Sequence, residues 1–299
     1  MDMAWSPKDI PDLTGRRFIV TGANGGLGEI STRELAAHGA SVVMACRNVE
    51  KAQRIADEIN GAGTAGDVSV ARLDLADLRS VREFTSEQDE FDVLINNAGL
   101  MNLPMRRTVD GFEMQFGVNH LGHFVLTAQL WSKLQDRVVT LASIAHKQTP
   151  KLWVGDLNYE SRRYQRNLAY AQSKLSNLMF ARELQRRLDE SGSTKKSFAV
   201  HPGVSGTDLF AGTELSLVDR VGKQGAKLVG HAPKYAARST LYAATVPDAD
   251  PHTYWGPTGI GQMRGPVGAS ASNKLSQNQA LWERLWDESE RMTGVNFVP

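Results

Sequence analysis

The sequence predicts an α/β fold in which a parallel sheet of about seven strands carries helices on both faces. Short apolar and β-branched segments alternate with longer segments of helical periodicity, which is the pattern of βαβ units. A glycine-rich turn joins the first strand to the first helix, as in doubly wound sheets. The chain contains no internal repeat and no proline- or serine-rich linker, so residues 1–299 are expected to form one domain.

The strands are predicted from short apolar runs, and the helices from apolar residues spaced three or four apart. In chain order, the predicted strands lie at about Arg17–Thr21, Ser41–Ala45, Val68–Leu73, Val93–Asn96, Val138–Ala142 and Phe198–His201, with a seventh in the Gly/Pro-rich segment Tyr254–Ser272. The predicted helices lie at about Gly26–His38, from the second strand to Asn60, Gly111–Leu134, Leu168–Leu188, Leu215–Val229, Lys234–Ala244 and Gln277–Met292.

The composition excludes several classes of protein. Hydrophobic residues make up 41% and charged residues 22% of the chain, as in globular domains, and the net charge of +1 creates no global field for nucleic acid. The single cysteine, Cys46, cannot form an internal disulfide. The sequence has no apolar run of about 18 residues and no signal-like N-terminal segment, so we expect no membrane anchor and a cytoplasmic location.

Residues 21–28 read TGANGGLG and place Gly22, Gly26 and Gly28 between a predicted strand and a predicted helix. Glycines let the backbone approach a pyrophosphate, and the helix N-terminus supplies free N–H groups. The turn therefore predicts a dinucleotide site. Its spacing differs from the common GxGxxG, and a glycine-rich turn without a ligand is the alternative interpretation.

The end of the second predicted strand indicates which dinucleotide binds. A carboxylate there normally binds the ribose 2′-OH and selects NAD, but the run Met44–Asn48 has no acid and contains Arg47. A guanidinium pairs with a 2′-phosphate, so the sequence favours NADP(H); the alternative is a solvated arginine at the start of a helix. Asp74, after the third strand, either accepts from the adenine amine or caps the following helix.

Tyr170 and Lys174 lie four residues apart in YAQSK on a predicted helix, which puts both side chains on one face. A nearby ammonium favours the phenolate and is expected to lower the pKa of Tyr170 from its usual value of about 10. Tyr170 would then exchange a proton with an alcohol or a developing alkoxide. Ser143 follows the fifth strand on the ligand side of the sheet, where its hydroxyl can bind the same oxygen.

Six motifs in this order resemble the short-chain dehydrogenase/reductase family. They are TGANGGLG at 21–28, NNAG at 96–99, Asn119, Ser143, YAQSK at 170–174 and PGVSGT at 202–207. The resemblance implies a Rossmann-type, doubly wound single domain, with a substrate loop at about 204–232 and a C-terminal extension at about 254–299. It implies an NADP(H)-dependent oxidoreductase that transfers a hydride between nicotinamide and an alcohol, aldehyde or ketone.

The resemblance also implies roles for individual residues. Ser143 and Tyr170 would hold the reacting oxygen, and Lys174 would bind the nicotinamide ribose. Asn119 would kink its helix and hold a water that connects Lys174 to solvent. Asn96–Gly99 would stabilise the sheet beside the adenine ribose. The implied cofactor-binding residues are Gly22, Asn24, Gly26, Leu27, Gly28, Arg47, Asn48, Asp74, Leu75, Asn97, Ala98, Gly99, Tyr170, Lys174, Pro202, Gly203 and, at the carboxamide, Thr207.

Within the family, the segments ACRN, FGVNHLGHF and AYAQSKLSN are similar to the retinol-dehydrogenase-like and WW-domain-oxidoreductase-like branch, which tends to prefer NADP(H). Many animal retinol dehydrogenases have an N-terminal membrane anchor, and this sequence departs from them there. The family often forms a homodimer or homotetramer through its two long helices, here about 111–134 and 168–188. Two other functions stay open: a non-catalytic NADP(H)-binding sensor or scaffold, and a C=C reductase similar to protochlorophyllide reductase.

Apolar residues after the fifth and sixth strands predict a pocket for a lipophilic substrate, or equally an ordinary core or an oligomer interface. They are Leu152, Trp153, Leu209, Phe210, Leu215, Leu217 and Val218, with Trp255 and Met263 closing the pocket. His120 and His123 have the spacing of a metal-binding pair, but no third ligand is nearby, so no metal site is expected. Trp282 and Trp286 are expected to share a helix face and to pack.

Overall fold

The computed structural model of the protein describes residues 5–204 and 233–299, and eight of its strands form one sheet. The strands are Arg17–Thr21 (β1), Ser41–Cys46 (β2), Asp67–Arg72 (β3), Phe91–Asn96 (β4), Leu134–Leu141 (β5), Lys196–Val200 (β6), Trp255–Pro257 (β7) and Val267–Ala269 (β8). The α-helices in the described ranges are Gly26–Ala37 (α1), Val49–Gly61 (α2), Leu78–Ser86 (α3), Met114–Phe116 (α4), Gly122–Leu130 (α5), Arg166–Ser191 (α6), Pro233–Ala236 (α7), Arg238–Thr245 (α8) and Gln279–Thr293 (α9). A π-helical turn, Gly117–Leu121, joins α4 to α5, and 3₁₀ turns occur at Pro7–Asp9, Ile144–Gln148, Val154–Asp156, Ile260–Gln262 and Leu275–Gln277.

The strand order is β3-β2-β1-β4-β5-β6-β7-β8. Neighbouring strands from β3 to β7 are parallel, and β8 pairs antiparallel with β7 at the edge. The order reverses at β1, which pairs with β2 on one side and β4 on the other, and ligands bind at the carboxyl ends of the strands beside such a switch point. The predicted Rossmann-type doubly wound fold is confirmed. The sheet has one strand more than expected because the segment Tyr254–Ser272 forms two short strands.

The sheet is buried on both faces. In β1, Ile19 packs into the cluster formed with α5 and α6, whereas Phe18 and Val20 pack into the cluster formed with α1 and α8. All three side chains are completely buried. The sequence of a parallel strand that is covered on both faces is a continuous apolar run. For this reason β1 could be recognised from the sequence.

The helix predicted at Gly111–Leu134 is shorter than expected and is interrupted by the π-helical turn. Gly111 is a turn residue with φ +86°, and the helix begins only at Met114. The carboxylate of Glu113 caps this start by accepting from two backbone N–H groups. At the other end, Leu134 already belongs to β5. Because the end of this helix and the start of β5 are both apolar, their periodicity could not separate them.

The remaining helices differ less from the predictions. Helix α6 extends beyond the predicted Leu168–Leu188 at both ends and stops at Gly192, whose φ of +67° makes a left-handed cap. The helix predicted at Leu215–Val229 lies outside the described residues. No helix in the part of the chain that the structure describes is both long and apolar enough to cross a membrane.

The C-terminal helix α9 packs across α5 and α6. The Trp286 ring centroid lies 5.2 Å from that of Phe124, 5.7 Å from that of Phe180 and 4.9 Å from that of Phe297. Trp282 packs against the same cluster but is only partly buried, so the predicted packing face is confirmed. By the family resemblance, these two helices would form an oligomer interface. Helix α9 covers part of them within one chain.

Replacing Trp286 by alanine should destabilise the protein strongly, because the side chain is 2% exposed and its removal leaves a cavity between three helices. We expect the free energy of unfolding, measured by urea denaturation, to fall by about 3–5 kcal/mol. Trp282→Ala, on the same helix but partly exposed, is the matched control and should cost less. Equal stability of the two variants would contradict this packing.

Candidate active site

A cleft of about 330 Å³ opens at the carboxyl ends of the strands. The glycine turn and the start of α2 form one end, and α6 with the end of β5 forms the other. The predicted site residues that line it are Gly22, Asn24, Gly26, Leu27, Arg47, Asn48, Asp74, Leu75, Asn97, Ala98, Gly99, Tyr170, Lys174 and Pro202. The other lining residues, which were not among the predicted site residues, are Gly25, Ala45, Lys51, Leu73, Leu100, Val118, Leu141 and Ala142.

The glycine turn needs its glycines for two different reasons. Gly22 and Gly26 have φ of +63° and +55°, in the left-handed region that side chains disfavour. A Cβ on Gly28 would lie 2.5 Å from the carbonyl oxygen of Gly22, so Gly28 allows α1 to pack closely against the turn instead of lining the cleft. Gly25 caps α1 without a side-chain hydrogen bond, which leaves the first N–H groups of the helix available. This glycine cradle at a helix N-terminus fits a pyrophosphate.

The Thr21 hydroxyl joins the glycine turn to the loop that follows β4. It accepts hydrogen bonds from the N–H groups of Asn97 and Ala98, both at 2.9 Å. The side-chain amide of Asn97 donates in return to the Thr21 carbonyl at 2.7 Å. A Cβ on Gly22 would lie 3.0 Å from Ala98, so the two backbones approach closely. The turn and the loop are therefore held as one unit.

Two cations lie at the β2 end of the cleft. Arg47 follows β2 and Lys51 lies in the first turn of α2; both are exposed, and neither forms an ion pair within residues 5–204 and 233–299. Asn48 caps α2 by accepting from the Lys51 N–H at 2.9 Å, and the Asn24 amide donates to the Asn48 carbonyl at 3.2 Å. Lys51 was not among the site residues predicted from the sequence, although a second cation four residues after Arg47 could have indicated it.

Asp74 lines the cleft but does not cap the following helix. One of its carboxylate oxygens accepts from the Ala76 N–H at 3.0 Å in a local turn. Asp77 caps α3 instead, by accepting from the Arg79 N–H at 2.9 Å. The capping interpretation of Asp74 is therefore wrong.

Helix α6 places Tyr170 and Lys174 side by side against the end of β5. The Lys174 ammonium lies 5.9 Å from the centroid of the Tyr170 ring and donates to the Leu141 carbonyl at 2.9 Å. Ser143 follows β5 in an extended conformation, and its side chain lies near enough to Tyr170 to affect the pKa of that phenol. The Ser143 hydroxyl also accepts from the Ala145 N–H at 3.2 Å. The structure thus brings these three predicted residues together at the carboxyl edge of the sheet.

Burial, and not the neighbouring lysine, dominates the ionisation of Tyr170. Loss of solvent raises the pKa of the Tyr170 phenol to about 12, and the neighbouring Ser143 side chain opposes this change. Burial also lowers the pKa of Lys174 to about 8. The expected lowering of the phenol pKa is therefore not observed. At pH 7, Tyr170 is a neutral phenol and Lys174 is mostly charged.

Asn119 lies in the π-helical turn and connects the loop after β4 to α6. Its side-chain oxygen accepts from the Leu100 N–H at 2.7 Å. Its side-chain nitrogen donates to the Leu100 carbonyl and to the Ser173 hydroxyl, both at 2.9 Å. The Asn119 carbonyl accepts from Nδ1 of His123 at 3.0 Å. A water bound here would have to use a remaining lone pair on one of the two Asn119 oxygens.

The residues expected at the nicotinamide end are only partly described. Gly203 has φ +75°, and a Cβ there would lie 2.4 Å from the Met263 carbonyl oxygen, so Gly203 packs against the C-terminal extension. The Met263 carbonyl also accepts from the Val204 N–H at 3.0 Å, so Met263 lies beside the start of the expected substrate loop. Thr207 lies outside the described residues, as do the candidate pocket residues Leu209, Phe210, Leu215, Leu217 and Val218.

Three other candidate pocket residues belong to the structural framework. Leu152 is buried in the core cluster shared with α5 and α6. The Trp153 ring centroid lies 4.3 Å from the guanidinium of Arg162, and Trp255 in β7 packs on Tyr242 at 4.5 Å. None of the three lines the cleft, and the burial of Leu152 agrees with the alternative of an ordinary core. Apolar composition alone could not separate a pocket from the core.

His120 and His123 turn to different partners and form no metal site. His120 Nε2 lies 2.9 Å from the Ser289 hydroxyl in α9, and His123 Nε2 lies 2.9 Å from the Thr21 hydroxyl. Since the Asn119 carbonyl can only accept, His123 carries its proton on Nδ1 and its Nε2 accepts from Thr21. Among the described residues, no three His, Cys, Asp or Glu side chains converge on a possible metal position.

Acid should destabilise the protein through these two histidines. Burial lowers the pKa of His120 to about 3 and that of His123 to about 4. The unfolded chain then binds protons more readily, so stability is complete above the usual pKa of about 6.5 and is lost as the pH falls below it. Each histidine should remove about 1.4 kcal/mol of unfolding free energy between pH 7.5 and pH 5.5.

Urea denaturation at both pH values measures this loss. His120→Gln should reduce the difference between the two pH values by about 1.4 kcal/mol, whereas His252→Gln, at an exposed position, should not change it. A pH difference that is the same in His120→Gln as in the unmodified protein would show that His120 is not buried in its neutral form.

The chain is similar to known proteins over nearly its whole length. The family description "short chain dehydrogenase" matches residues 16–155. Human retinol dehydrogenase 13 is 37% identical over 301 residues, which cover 95% of this chain and 86% of that protein. Human retinol dehydrogenase 12 is 37% identical over 294 residues, covering 95% and 88%. A crystal structure of an uncharacterised protein from Mycobacterium paratuberculosis is 41% identical, with a TM-score of 0.83 over 99% of both chains.

Proposed function

Because this chain belongs to the short-chain dehydrogenase family, in the branch of the retinol dehydrogenases, we propose that it is an NADP(H)-dependent oxidoreductase that interconverts an alcohol and a carbonyl compound. One observation carries the proposal. One cleft has, at one end, the glycine cradle and two cations that form no ion pair with the described residues, and at the other end Tyr170, with Ser143 beside it. A phosphorylated dinucleotide and a carbonyl group are the ligands that such ends bind.

The chain's own residues would hold the cofactor as follows. The glycine cradle would bind the pyrophosphate, Arg47 and Lys51 the 2′-phosphate, and Asp74 the adenine amine. Lys174 uses one N–H on Leu141 and has two more for the ribose hydroxyls. The residues proposed around the nicotinamide and its ribose also include Asn97, Ala98, Gly99, Pro202, Gly203 and Thr207. When bound, the nicotinamide supplies or accepts the hydride.

The protein's part in the reaction is the handling of one proton and one oxygen. In carbonyl reduction, the Tyr170 hydroxyl gives its proton to the oxygen that becomes the alcohol, and Ser143 donates a hydrogen bond to the same oxygen. A phenol that burial keeps neutral is suited to this donation. The charged Lys174 stabilises the phenolate that remains after the transfer. Asn119 is proposed to connect Lys174 to solvent through a bound water.

The proposed substrates are lipophilic alcohols, aldehydes or ketones. The cleft that Tyr170 lines is also lined by the apolar residues Leu100, Val118, Leu141 and Ala142. Binding of an apolar substrate beside these side chains removes their surface from water. The names of the relatives, retinol dehydrogenases 12 and 13, support the same substrate class.

Substitution of Tyr170 tests the proposed chemistry. With NADPH and a panel of aldehydes, ketones and enones, Tyr170→Phe should lower kcat by about 10²–10⁴-fold, because the proton donor is lost. Binding of NADPH, followed by its fluorescence, should persist. Tyr242→Phe is the matched control, since Tyr242 packs between Trp5 and Trp255 outside the cleft, and its kcat should not change.

Each alternative gives a different result in this assay. NADPH binding without turnover of any compound by the unmodified protein would indicate a sensor or scaffold. Reduction of enones only at the C=C bond, identified in the products, would indicate a C=C reductase. Full activity of Tyr170→Phe on carbonyl groups would reject the role of the phenol.

Arg47 tests the choice of cofactor. Arg47→Ala should raise the Kd of NADPH by about 10- to 100-fold, because one charge-assisted hydrogen bond contributes about that factor to affinity. The Kd of NADH should stay nearly unchanged, since NADH has no 2′-phosphate. Arg54→Ala is the matched control, because Arg54 lies on the adjoining helix α2, does not line the cleft and pairs with Glu50. Tighter binding of NADH than of NADPH by the unmodified protein would overturn the proposed selectivity.

A further inference from the structure

A buried histidine, His146, binds the backbone carbonyl of Ser143. The Ser143 carbonyl accepts from Nδ1 of His146 at 2.6 Å and from the backbone N–H of His146 at 3.1 Å. The His146 ring is completely buried and packs edge-on against the ring of Tyr254, with centroids 5.6 Å apart. Two donors on one carbonyl, one of them on a side chain that cannot move freely, fix the orientation of the Ser143 peptide.

The same histidine is bound by the C-terminal extension. The backbone N–H of Asn273 donates to Nε2 of His146 at 3.3 Å, and the Asn273 side-chain amide donates to the His146 carbonyl at 3.1 Å. A carbonyl can only accept and a backbone N–H can only donate, so the ring must carry its proton on Nδ1 alone. His146 is therefore a neutral bridge of defined tautomer between Ser143 and Asn273.

Residues 272–276, which we call the C-terminal brace, are fastened to the helix that carries Tyr170 and Lys174. Arg182 of α6 donates to the carbonyl and hydroxyl of Ser276 at 2.6 and 3.0 Å, and to the hydroxyl of Ser272 at 3.0 Å. Within the brace, the Asn273 side chain accepts from the Ser276 N–H at 3.0 Å, and the Asn273 carbonyl accepts from the Ser276 hydroxyl at 2.7 Å.

These contacts close a ring of hydrogen bonds around the site. It runs from Lys174 along α6 to Arg182, through the C-terminal brace to His146, from His146 to Ser143, and back to the end of β5, where the Leu141 carbonyl accepts from Lys174. Without the brace, the described hydrogen bonds from α6 would reach this segment only at the Leu141 carbonyl, which accepts from Lys174 and Asn177. The ring instead holds Ser143 and Tyr170 at a set distance before any substrate binds.

We propose that His146 is a positioning residue, which together with the C-terminal brace fixes the Ser143 hydroxyl relative to the Tyr170 hydroxyl. This inference rests on the proposed function, because its catalytic effect requires that both hydroxyls hold the reacting oxygen. Displacing a catalytic group by about 1 Å can reduce the reaction rate by up to about 10²-fold. The C-terminal extension thereby contributes to the reaction without lining the cleft.

Two substitutions weaken the connection between His146 and the C-terminal brace. His146→Asn retains a short side-chain donor for the Ser143 carbonyl but cannot reach Asn273. Asn273→Ala leaves the histidine in place and removes the side-chain bonds to the His146 carbonyl and the Ser276 N–H. We expect each to lower kcat for carbonyl reduction by about 10-fold, with the Kd of NADPH within about twofold of the unmodified value. His252→Gln, at an exposed position, is the control.

A double-mutant cycle with Ser143→Ala separates positioning from general destabilisation. If His146 acts through Ser143, then His146→Asn should lower kcat by less than about twofold in the Ser143→Ala background, because no hydroxyl remains to be positioned. The same 10-fold loss in both backgrounds would overturn the proposal, and so would an unchanged kcat in the single variants.

Hydrogen–deuterium exchange of the protein without cofactor gives a readout that does not need turnover. The peptide covering residues 142–149 should exchange at least about 10-fold faster in His146→Asn and in Asn273→Ala than in the His252→Gln control. If the unmodified protein reduces no carbonyl compound, the proposed function fails and this exchange experiment alone decides whether the ring of hydrogen bonds exists. If carbonyls are reduced but exchange and kcat are unchanged in the variants, only the positioning inference fails.

Discussion

The short loop after β4 is hydrogen-bonded to Thr21 of the glycine turn on one side and to Asn119 on the other. The rest of the site depends on these two connections. On one side, its backbone N–H groups donate to the Thr21 hydroxyl, which brings the glycine turn against it. On the other side, Leu100 exchanges hydrogen bonds with the Asn119 side chain, whose amide also reaches Ser173 on α6. The cofactor half and the catalytic half of the cleft are thus connected through one segment of about four residues.

The chemistry of the site follows from burial. Tyr170, Lys174 and the histidines behind them are all withdrawn from water, and burial disfavours the charged form of each of these groups. The histidines remain neutral, and His123 and His146, whose tautomers are defined by their partners, act as fixed hydrogen-bonding links. Tyr170 remains a phenol that can donate. Lys174 is the one group among these that stays mostly charged, with the Leu141 carbonyl compensating part of its lost hydration.

Much of the framework could be predicted from the sequence because it is encoded locally. The strand β1, the glycine turn and the start of α1 depend on neighbouring residues, and the four-residue spacing of Tyr170 and Lys174 fixes their shared helix face whatever surrounds them. The first six strands were located to within a few residues, since buried parallel strands read as apolar runs. Element boundaries failed where two apolar elements meet, as at Leu134.

The remaining features depend on contacts between distant parts of the chain. The bridge from His146 to Asn273 spans 127 positions, and no local pattern marks either residue. The sign of the pKa change at Tyr170 was mispredicted because its burial is a tertiary property, which outweighs the helical neighbour. For Leu152 and Trp153, composition left a pocket, an ordinary core and an interface equally open, and packing places Leu152 in the core and Trp153 against Arg162.

The most direct test of the central claim, that one cleft holds a phosphorylated dinucleotide against the Ser143–Tyr170 pair, is a crystal structure of the protein with NADPH. The account predicts the pyrophosphate at the N-terminus of α1, the 2′-phosphate within hydrogen-bond distance of Arg47 or Lys51, and the nicotinamide facing Tyr170. A cofactor bound elsewhere, or bound with its nicotinamide directed away from Tyr170, would contradict it.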